Sequence, residues 1–457
     1  MAPLISIRLT PYAAAKNILL SVIATAMLSG CQHFQNAEST SRGHGVSVSM
    51  TVKTDPTPPS AQPIQAAQPV AAPTKPANAK RPIDERLLPK TVEPAKGLTE
   101  TARPEPSRAG SGRSRSAILK ADVILTNRTV TEDMVLRGTV LVRGSLVIAP
   151  HATLRIEPGT VIRFSPALPS TQKARLIVQG RIICNGQPGR QVTLTSVFDE
   201  PVPGDWGGVA LLSSEKKNSF EHCRIEGAES GIEARYSSFY AKSILISRSI
   251  FGIVLNDSAA TLSACEASRC DIGILSADSE LDLKDSVLKE NRTGLETDKG
   301  SFTITASAIR NNSQDGISAN SSRFRISTST FAENRSGVTL TGANGQIALS
   351  RFIKNRENGL ISLNSRLRIT SSTVQTNGQN GLLLEESKGA VTGSSIFENG
   401  SSNITANGKT TFSAVLNWWG TTNETDIAAK IQGTTSGNPE RSVSYYPYLS
   451  SKPAGSP

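Results

Sequence analysis

From residue 208 onward, apolar and polar residues alternate in short runs that recur at a nearly constant interval. A Gly followed by an aliphatic residue marks each recurrence, and the steps between these glycines are 21, 21, 21, 22, 21, 22 and 22 residues. The glycines are Gly231, Gly252, Gly273, Gly294, Gly316, Gly337, Gly359 and Gly381. Gly208 and Asn403 continue the series at its two ends. A repeat of this regularity predicts a solenoid.

Within one repeat the alternation has the two-residue period of a β-strand, and no 3.6-residue helical period is present. In the segment RFRI, for example, Phe324 and Ile326 share one face, whereas Arg323 and Arg325 share the other. Each repeat of 21–22 residues supplies three such strands, which stack in parallel about 4.8 Å apart on those of the next repeat. The sequence therefore predicts an all-β fold, a single-stranded parallel β-helix with three strands per coil. We expect it to be right-handed, as nearly all parallel crossovers are.

Stacking the repeats predicts columns of equivalent residues. One inward column is Phe220, Tyr240, Leu262, Leu283, Ile304, Ile326, Ile347, Ile369 and Val391. The next strand gives Cys223, Ser243, Cys265, Ser286, Ser307, Ser329, Ser350, Ser372 and Ser394. Five residues later comes a column of Asn291, Asn312, Asn334, Asn355, Asn377 and Asn399. We expect these amides to form a ladder that bonds the backbone of the turn. Cys270 holds the Asn position of its own repeat and should fill an inward turn.

Four cysteines lie in the repeat region, too few for a disulfide framework in a chain of 457 residues. Cys223 and Cys265 are two coils apart, roughly 9 to 10 Å, which is too far for a disulfide bond. Cys265 and Cys270, five residues apart, are the alternative pair for a bond.

The N-terminus has the features of an export signal. Arg8 and Lys16 precede an apolar run at residues 18–28, which is too short to span a bilayer. The run ends in LSGC and resembles the lipobox of bacterial lipoproteins. The resemblance implies a signal peptide of residues 1–30, acylation of Cys31 and, with Gln32 next, an outer-membrane lipoprotein of the cell envelope, periplasmic or surface-exposed. An ordinary secretory signal with a chance Cys is the alternative.

Residues 31–117 are rich in Pro and Ala without apolar periodicity, which predicts a disordered, semi-rigid linker. Residues 1–117 hold 14 Lys/Arg and 7 Asp/Glu, a net charge of +7 out of the total of +11. The repeats therefore carry only +4, because 11 − 7 = 4. This distribution argues against a nucleic-acid partner.

The repeats resemble the right-handed parallel β-helix family, the pectin-lyase-like superfold. Three phrases add to the resemblance: GSLVIAPHATLRIEPGTVIRF, GDWGGVAL and LNWWGTTNETDIAAKIQG. The resemblance implies N-terminal coils and a cap at residues 118–200, regular coils at 201–416, and a C-terminal cap with a short helix at 417–457. It does not decide function, because this fold hosts lyases, hydrolases, epimerases, adhesins and proteins of unknown role.

Candidate chemistry is sparse. Asp257, Asp278 and Asp298 are expected at one turn in three successive coils, where they could share a Ca²⁺ ion, the one cofactor considered. The alternative is that Asp is simply a favoured turn residue. Glu280 and Asp282, on one outward strand face with Asp285 nearby, form a second acidic group.

Arg323 and Arg325 share an outward face with Arg366 and Arg368 two coils later, an arrangement that suits acidic glycans. Scattered surface charge is the alternative. No base is expected beside these arginines, and His222 is interpreted as a turn or surface residue. Trp418 and Trp419 are interpreted as packing in the cap.

The outward apolar residues Val254, Leu275, Ile361 and Leu383 indicate a partner surface or a covering loop.

Three functions remain. The first is a membrane-anchored, non-enzymatic β-helix that presents its face to a polysaccharide or to a cell-envelope protein. The alternative is a polysaccharide-modifying enzyme, lyase or epimerase. The third is a carrier for metal-enzyme maturation.

Overall fold

The computed structural model describes residues 115–166, 173–408, 411–435, 438–441, 443–455 and 457. They form an all-β parallel solenoid of about 13 coils, which confirms the fold class. Cys31, the predicted signal peptide and most of the predicted linker lie outside the described residues. No helix in the described part of the chain has the length and apolarity that a membrane span requires.

Each coil begins with a strand of a 14-stranded parallel sheet, here called sheet A. Its strands are Met134–Leu136, Thr153–Ile156, Arg181–Asn185, Asn218–Glu221, Ser238–Lys242, Ala259–Ser263, Glu280–Lys284, Ser301–Thr305, Arg323–Ser327, Asn344–Ala348, Arg366–Thr370, Lys388–Thr392, Phe412–Ser413 and Val443–Ser444. Alternate residues of each strand enter the core, so the others form a continuous outer face.

Sheet B follows sheet A in every coil and is built from short strands. They are Val161–Phe164, Val192–Ser196, Cys223–Glu226, Leu245–Ser247, Glu266–Ser268, Val287–Lys289, Ala308–Arg310, Thr330–Ala332, Arg351–Ile353, Thr373–Gln375 and Ser395–Phe397. Only the central residue of a three-residue strand, such as Phe331 or Phe352, points inward. These two rings stack with their centroids 5.0 Å apart.

Sheet C completes the coil, and each recurrent glycine lies within one of its strands or directly before it. Its strands are Arg175–Val178, Trp206–Leu212, Ala228–Arg235, Phe251–Asn256, Ile272–Ala277, Thr293–Asp298, Ile317–Asn320, Val338–Thr341, Leu360–Leu363, Asn380–Glu385, Ser402–Asn407 and Ile431–Gln432. Two long strands near the N-terminal end, Val123–Val130 and Thr139–Ile148, join sheets B and C. A short antiparallel pair, Thr434–Thr435 with Asn438–Arg441, lies near the C-terminal end.

The predicted inward columns are correct except in the coil around residue 240. Ala241, not Tyr240, pairs with Phe220 and Leu262 and is fully buried, whereas Tyr240 lies on the outer face. The expected column placed the large aromatic ring inside. Phe239 fills that space instead, with its ring 5.9 Å from that of Phe220.

The same one-residue offset affects the next turn. Ser243 is a turn residue with φ 53° and Ile244, which is buried, takes the inward position that the sequence assigned to Ser243. A residue with φ near 50° precedes the inward turn residue in most coils, for example His222 at φ 47° and Ala264 at φ 53°. His222 is therefore a turn residue, as the sequence indicated.

The six asparagines Asn291, Asn312, Asn334, Asn355, Asn377 and Asn399 lie in one buried column. Their side chains act as the sequence predicts, as Asn334 illustrates. Its Nδ2 donates to the carbonyl oxygen of Ile309 at 3.0 Å, and its Oδ1 accepts from the backbone N–H of Asn312 at 3.1 Å. The ladder ends at Asn403, whose Oδ1 accepts from Asn399 Nδ2 at 2.9 Å. At the other end, the backbone N–H of Cys270 donates to Asn291 Oδ1, so Cys270 does occupy the equivalent turn.

The C-terminal cap contains one short helix, Glu424–Ala429. Its N-cap is Asn423, whose side chain accepts from the backbone N–H of Thr425, and Ile427 faces the core. Trp419 is buried and meets the ring of Tyr445 edge-on at 6.5 Å, which supports a packing role for this Trp. A cap of this kind shields the apolar end of a solenoid.

Candidate functional site

The outer face of sheet A has two columns of side chains in parallel register. The first runs Ala259, Glu280, Ser301, Arg323, Asn344, Arg366 and Lys388. The second runs Thr261, Asp282, Thr303, Arg325, Gln346, Arg368 and Ala390. Every cationic or acidic residue in these columns is exposed. The face is therefore flat, polar and sorted by charge along the solenoid axis.

Arg323, Arg325, Arg366 and Arg368 occupy the corners of a rectangle on this face. Residues two apart on a strand are about 7 Å apart, and strands two coils apart are separated by about 10 Å. None of the four guanidinium groups has a hydrogen bond or an ion pair within the described residues. The structure thus brings together the four arginines that the sequence singled out, and it leaves their charges open to solvent.

Neutral amides fill the rung between the two arginine pairs. Asn344 lies between Arg323 and Arg366, and Gln346 lies between Arg325 and Arg368. Lys388, one coil further, extends the first column by another exposed cation. Repeat spacing had not singled out Lys388, although its register with Arg366 makes it part of the same face. We call these seven residues the basic face.

The acidic pair lies on the same columns at the N-terminal side. Glu280 and Asp282 lie two coils before Arg323 and Arg325. In the first column, Ser301 lies in register between Glu280 and Arg323. Asp285 is the turn residue after that strand, with φ 50°. The carboxylates form no ion pair with the basic face, because about 10 Å separates the two groups.

Along the two columns, no carboxylate or imidazole lies next to the four arginines. The neighbours of the basic face in register are Ser301, Thr303 and Ala390. A base must lie within hydrogen-bond reach of the proton that it removes. His222 lies in a turn several coils away, with backbone bonds to Val192 and Lys242.

The proposed cation site does not form as the sequence indicated. Asp257 and Asp278 are equivalent turn residues with φ 47° each, but Lys299 follows them in that column. Asp298 lies one residue earlier, opposite Ala277, and accepts from Asn320 Nδ2 at 2.6 Å. The described residues contain no group of three His, Cys, Asp or Glu side chains placed to hold a metal ion. The expected three-carboxylate site is therefore wrong in its register, while calcium binding itself stays a prediction.

A groove of about 170 Å³ lies on the outer face of sheet B. Its acidic groups are already paired. Glu226 bonds Arg224 at 2.7 Å, Glu266 bonds Lys289 at 3.0 Å and Glu290 bonds Arg269 at 2.8 Å. The hydrogen bond from Arg269 lowers the pKa of Glu290. Sequence patterns do not reveal this groove, because two of the three ion pairs join residues a full coil apart.

The outer face of sheet C is not a continuous apolar surface. Its central column runs Ala210, Glu233, Val254, Leu275, Glu296, Ser318, Thr339, Ile361 and Leu383. Glu233 pairs with both Arg175 and Arg235. Burial raises the pKa of Glu296. Glu296, Ser318 and Thr339 separate Val254 and Leu275 from Ile361 and Leu383, so the expected apolar patch is divided in two.

Comparison with known proteins agrees with this architecture. Residues 275–419 match the family model described as right handed beta helix region, and residues 128–236 match the one described as pectate-lyase like beta helix domain. No curated protein sequence matches the chain.

Solved structures that are similar include the periplasmic alginate epimerase AlgG, at 12% identity, with 66% of this chain and 78% of that chain covered and a TM-score of 0.32. The Azotobacter vinelandii mannuronan C-5 epimerase AlgE4 A-module has 11% identity, with 66% and 82% covered and a TM-score of 0.32. The catalytic domain of a GH87 alpha-1,3-glucanase has 9% identity, with 74% and 69% covered and a TM-score of 0.35. Similarity at this level says nothing about activity.

Proposed function

We propose that this chain, a pectin-lyase-like right-handed β-helix protein, binds an acidic polysaccharide along the basic face of sheet A. The observation that carries the proposal is the set of four exposed guanidinium groups, in register on one flat face, without a carboxylate partner among the described residues. The flanking residues Glu280 and Asp282 are too far away to neutralise them. The cations are therefore available to a ligand.

The chemistry of arginine suits the carboxylates of acidic sugars. A guanidinium presents a planar fork of N–H donors that bonds a carboxylate through both oxygens. Asn344 and Gln346, between the arginine pairs, offer amide donors and acceptors that match sugar hydroxyls. Because the pairs repeat every second coil, a polymer with repeated carboxylates fits this face better than a single small acid.

The acidic pair gives the site a direction. A polyanion that extended from Arg323 toward Glu280 would meet like charge, which weakens binding and excludes incorrect registers. The bound segment therefore covers the coils from Arg323 to Lys388 and leaves the face toward the C-terminal end of the solenoid.

Binding, and not turnover, is the function that this geometry supports. A lyase or an epimerase needs a base beside the bound uronate. The residues that adjoin the arginines in register are Ser, Thr, Ala, Asn, Gln and Lys388, so no carboxylate or imidazole stands beside them on the columns. The only acidic residues on the two columns are Glu280 and Asp282, about 10 Å from the nearest arginines.

We further propose that Cys31 carries a lipid anchor and holds the β-helix at the outer membrane. The support is the sequence at residues 18–31 alone, and Cys31 lies outside the described residues. A β-helix tethered in this way would hold a polysaccharide of the cell envelope near the membrane surface.

Binding to polygalacturonate or polymannuronate, compared with a neutral glucan, tests the proposal by titration calorimetry at low salt. Each exposed Arg contact should account for about three- to fivefold in affinity, so Arg325→Gln with Arg368→Gln should weaken binding by about 9- to 25-fold. Arg351→Gln is the matched control. It removes one exposed, unpaired Arg from sheet B and should leave the affinity unchanged.

Two results would contradict the proposal. One is equal affinity for the acidic and neutral polymers, or no dependence on salt, since exposed charge contacts are screened. The other is the appearance of unsaturated or epimerised product from the acidic polymer, which would establish an enzyme in place of a binding protein.

A further inference from the structure

Two cysteines from adjacent coils meet inside the solenoid. Cys184 lies near the end of the sheet A strand Arg181–Asn185, and Cys223 begins the sheet B strand Cys223–Glu226 of the following coil. Cys184 is in register with Phe220, three residues before Cys223. Both side chains are buried, with 0% and 1% of their surface exposed, and their Sγ atoms are 2.6 Å apart.

Each of these cysteines departs from the repeat. The Cys184 column otherwise holds Ile156, Phe220, Ala241 and later aliphatic residues. At the position of Cys223, six later coils have a buried Ser whose hydroxyl donates to a backbone carbonyl two residues earlier, as in Ser329 to Ser327 at 2.7 Å. The two residues that differ from their columns are therefore in contact with each other.

Cys223 Sγ lies 3.2 Å from the carbonyl oxygen of Glu221, as a serine hydroxyl in its column would, and it also meets the sulfur of Cys184. The other two cysteines of the β-helix share the carbonyl contact but not the sulfur contact. Cys265 Sγ lies 3.3 Å from the carbonyl oxygen of Ser263, and Cys270 Sγ lies 3.4 Å from that of Ser268. Each therefore acts as a serine would in its column, and neither has a sulfur contact in the described part of the chain. Cys184, by contrast, has the sulfur of Cys223 as its side-chain partner.

The separation of the two sulfur atoms is short for a pair of thiols. Non-bonded heavy atoms pack at about 3.5–4.0 Å. Burial also raises the pKa of the Cys184 thiol, which disfavours a Cys184 thiolate as the cause of so short a contact. Export, as predicted from residues 1–31, would deliver the chain to a compartment where disulfides persist.

We propose that Cys184 and Cys223 form a disulfide bond in the exported protein. Two thiols lose two protons and two electrons and gain one S–S bond. The electron acceptor is the disulfide of a thiol–disulfide exchange partner, which becomes two thiols. Because both sulfurs are buried after the coils pack, the exchange takes place before the solenoid closes at this point.

The bond would fasten the N-terminal coils to the regular repeats. Coils of a solenoid contact only their neighbours, so an open end unfolds first unless it is tied down. Cys184 and Cys223 are 39 residues apart in sequence. Because Cys184 is in register with Phe220, their link would close a loop of one long coil plus three residues.

Peptide mass spectrometry of the full-length exported chain tests the proposal. The protein is extracted in the presence of iodoacetamide and digested with trypsin without a reductant. Cleavage after Arg181, Arg190, Lys217 and Arg224 releases IICNGQPGR, residues 182–190, and NSFEHCR, residues 218–224. The expected result is one linked species whose mass is the sum of the two peptides minus two hydrogens, as the predominant form.

The remaining cysteines serve as internal controls. Cys265 and Cys270 lie in two other tryptic peptides, residues 249–269 and 270–284, and both should be alkylated. The variant Cys265→Ser should retain the linked species, whereas Cys184→Ser should leave Cys223 alkylated. Recovery of both peptides in the alkylated, unlinked form from wild-type protein would overturn the proposal, as would a link from Cys223 to Cys265.

A melting experiment gives a second measurement that does not require a variant to fold. Dithiothreitol should lower the Tm of the exported wild-type chain and leave the alkylated peptides separate in the subsequent digest. A Tm unchanged by complete reduction would show that the pair does not fasten the N-terminal coils.

Discussion

A Cβ atom on Gly337 would lie 2.4 Å from the carbonyl oxygen of Gly359, its counterpart in the next coil. The same atom would lie 3.1 Å from Asn355 Nδ2 of the asparagine ladder. Gly337 does not have a positive φ. The repeated Gly is therefore required by close approach between coils, and not by the backbone conformation of a bend.

Gly337→Ala should destabilise the chain by about 2–3 kcal/mol, because backbone and ladder must both shift to admit the methyl group. Chemical denaturation measures the change in the free energy of unfolding. Gly455→Ala, which adds a Cβ with no atom within 4 Å, is the control and should have no measurable effect. A neutral Gly337→Ala would contradict the close approach.

Asn334→Ala should cost about 2–4 kcal/mol of stability. It removes a fully buried amide and leaves the carbonyl oxygen of Ile309 and the backbone N–H of Asn312 without their partners. Asn344→Ala, on the exposed outer face, should change stability by no more than about 0.5 kcal/mol. If denaturant midpoints shifted equally for both variants, the ladder would have no special role.

Stability should fall at alkaline pH because of Cys270. Burial raises the pKa of its thiol from 9.0 to about 11, so the folded chain holds this proton more tightly than the unfolded chain. The resulting contribution, about 2–3 kcal/mol, is fully present below pH 9 and is lost as the pH rises to about 11. Unfolding of Cys270→Ser, measured from pH 8 to 11, should show a correspondingly shallower decline than wild type. Parallel curves would mean that the thiol is not held in its neutral form.

Cys31→Ser should release the protein from the membrane fraction. The thiol of Cys31 is the predicted acylation site, and two or more acyl chains anchor a protein firmly whereas none does. Labelling with a palmitate analogue, followed by fractionation, should detect lipid on wild type and none on Cys31→Ser. Label retained by the variant would place the lipid elsewhere. A matched Cys265→Ser variant should keep both the label and the membrane association.

Much of the site could be predicted because a strand has a two-residue period. Arg323 and Arg325 share a face for that reason alone, and the 22- and 21-residue steps bring Arg366 and Arg368 onto the same columns. The same reasoning wrongly placed Asp257, Asp278 and Asp298 at one equivalent turn. Their 21- and 20-residue spacings differ by one residue, and one residue is enough to move Asp298 out of the turn and onto the strand.

The sequence by itself determined the solenoid, its coil length, the asparagine ladder and the column of glycines, because all of these repeat and each repetition reinforces the same register. Tertiary structure decided where the repeat is irregular. It put Ala241 inside and Tyr240 outside, since the space was already filled by Phe239, and it divided the apolar residues of sheet C. It also brought Cys184 to Cys223, since contacts between coils depend on how each turn positions its side chains and not on spacing along the chain.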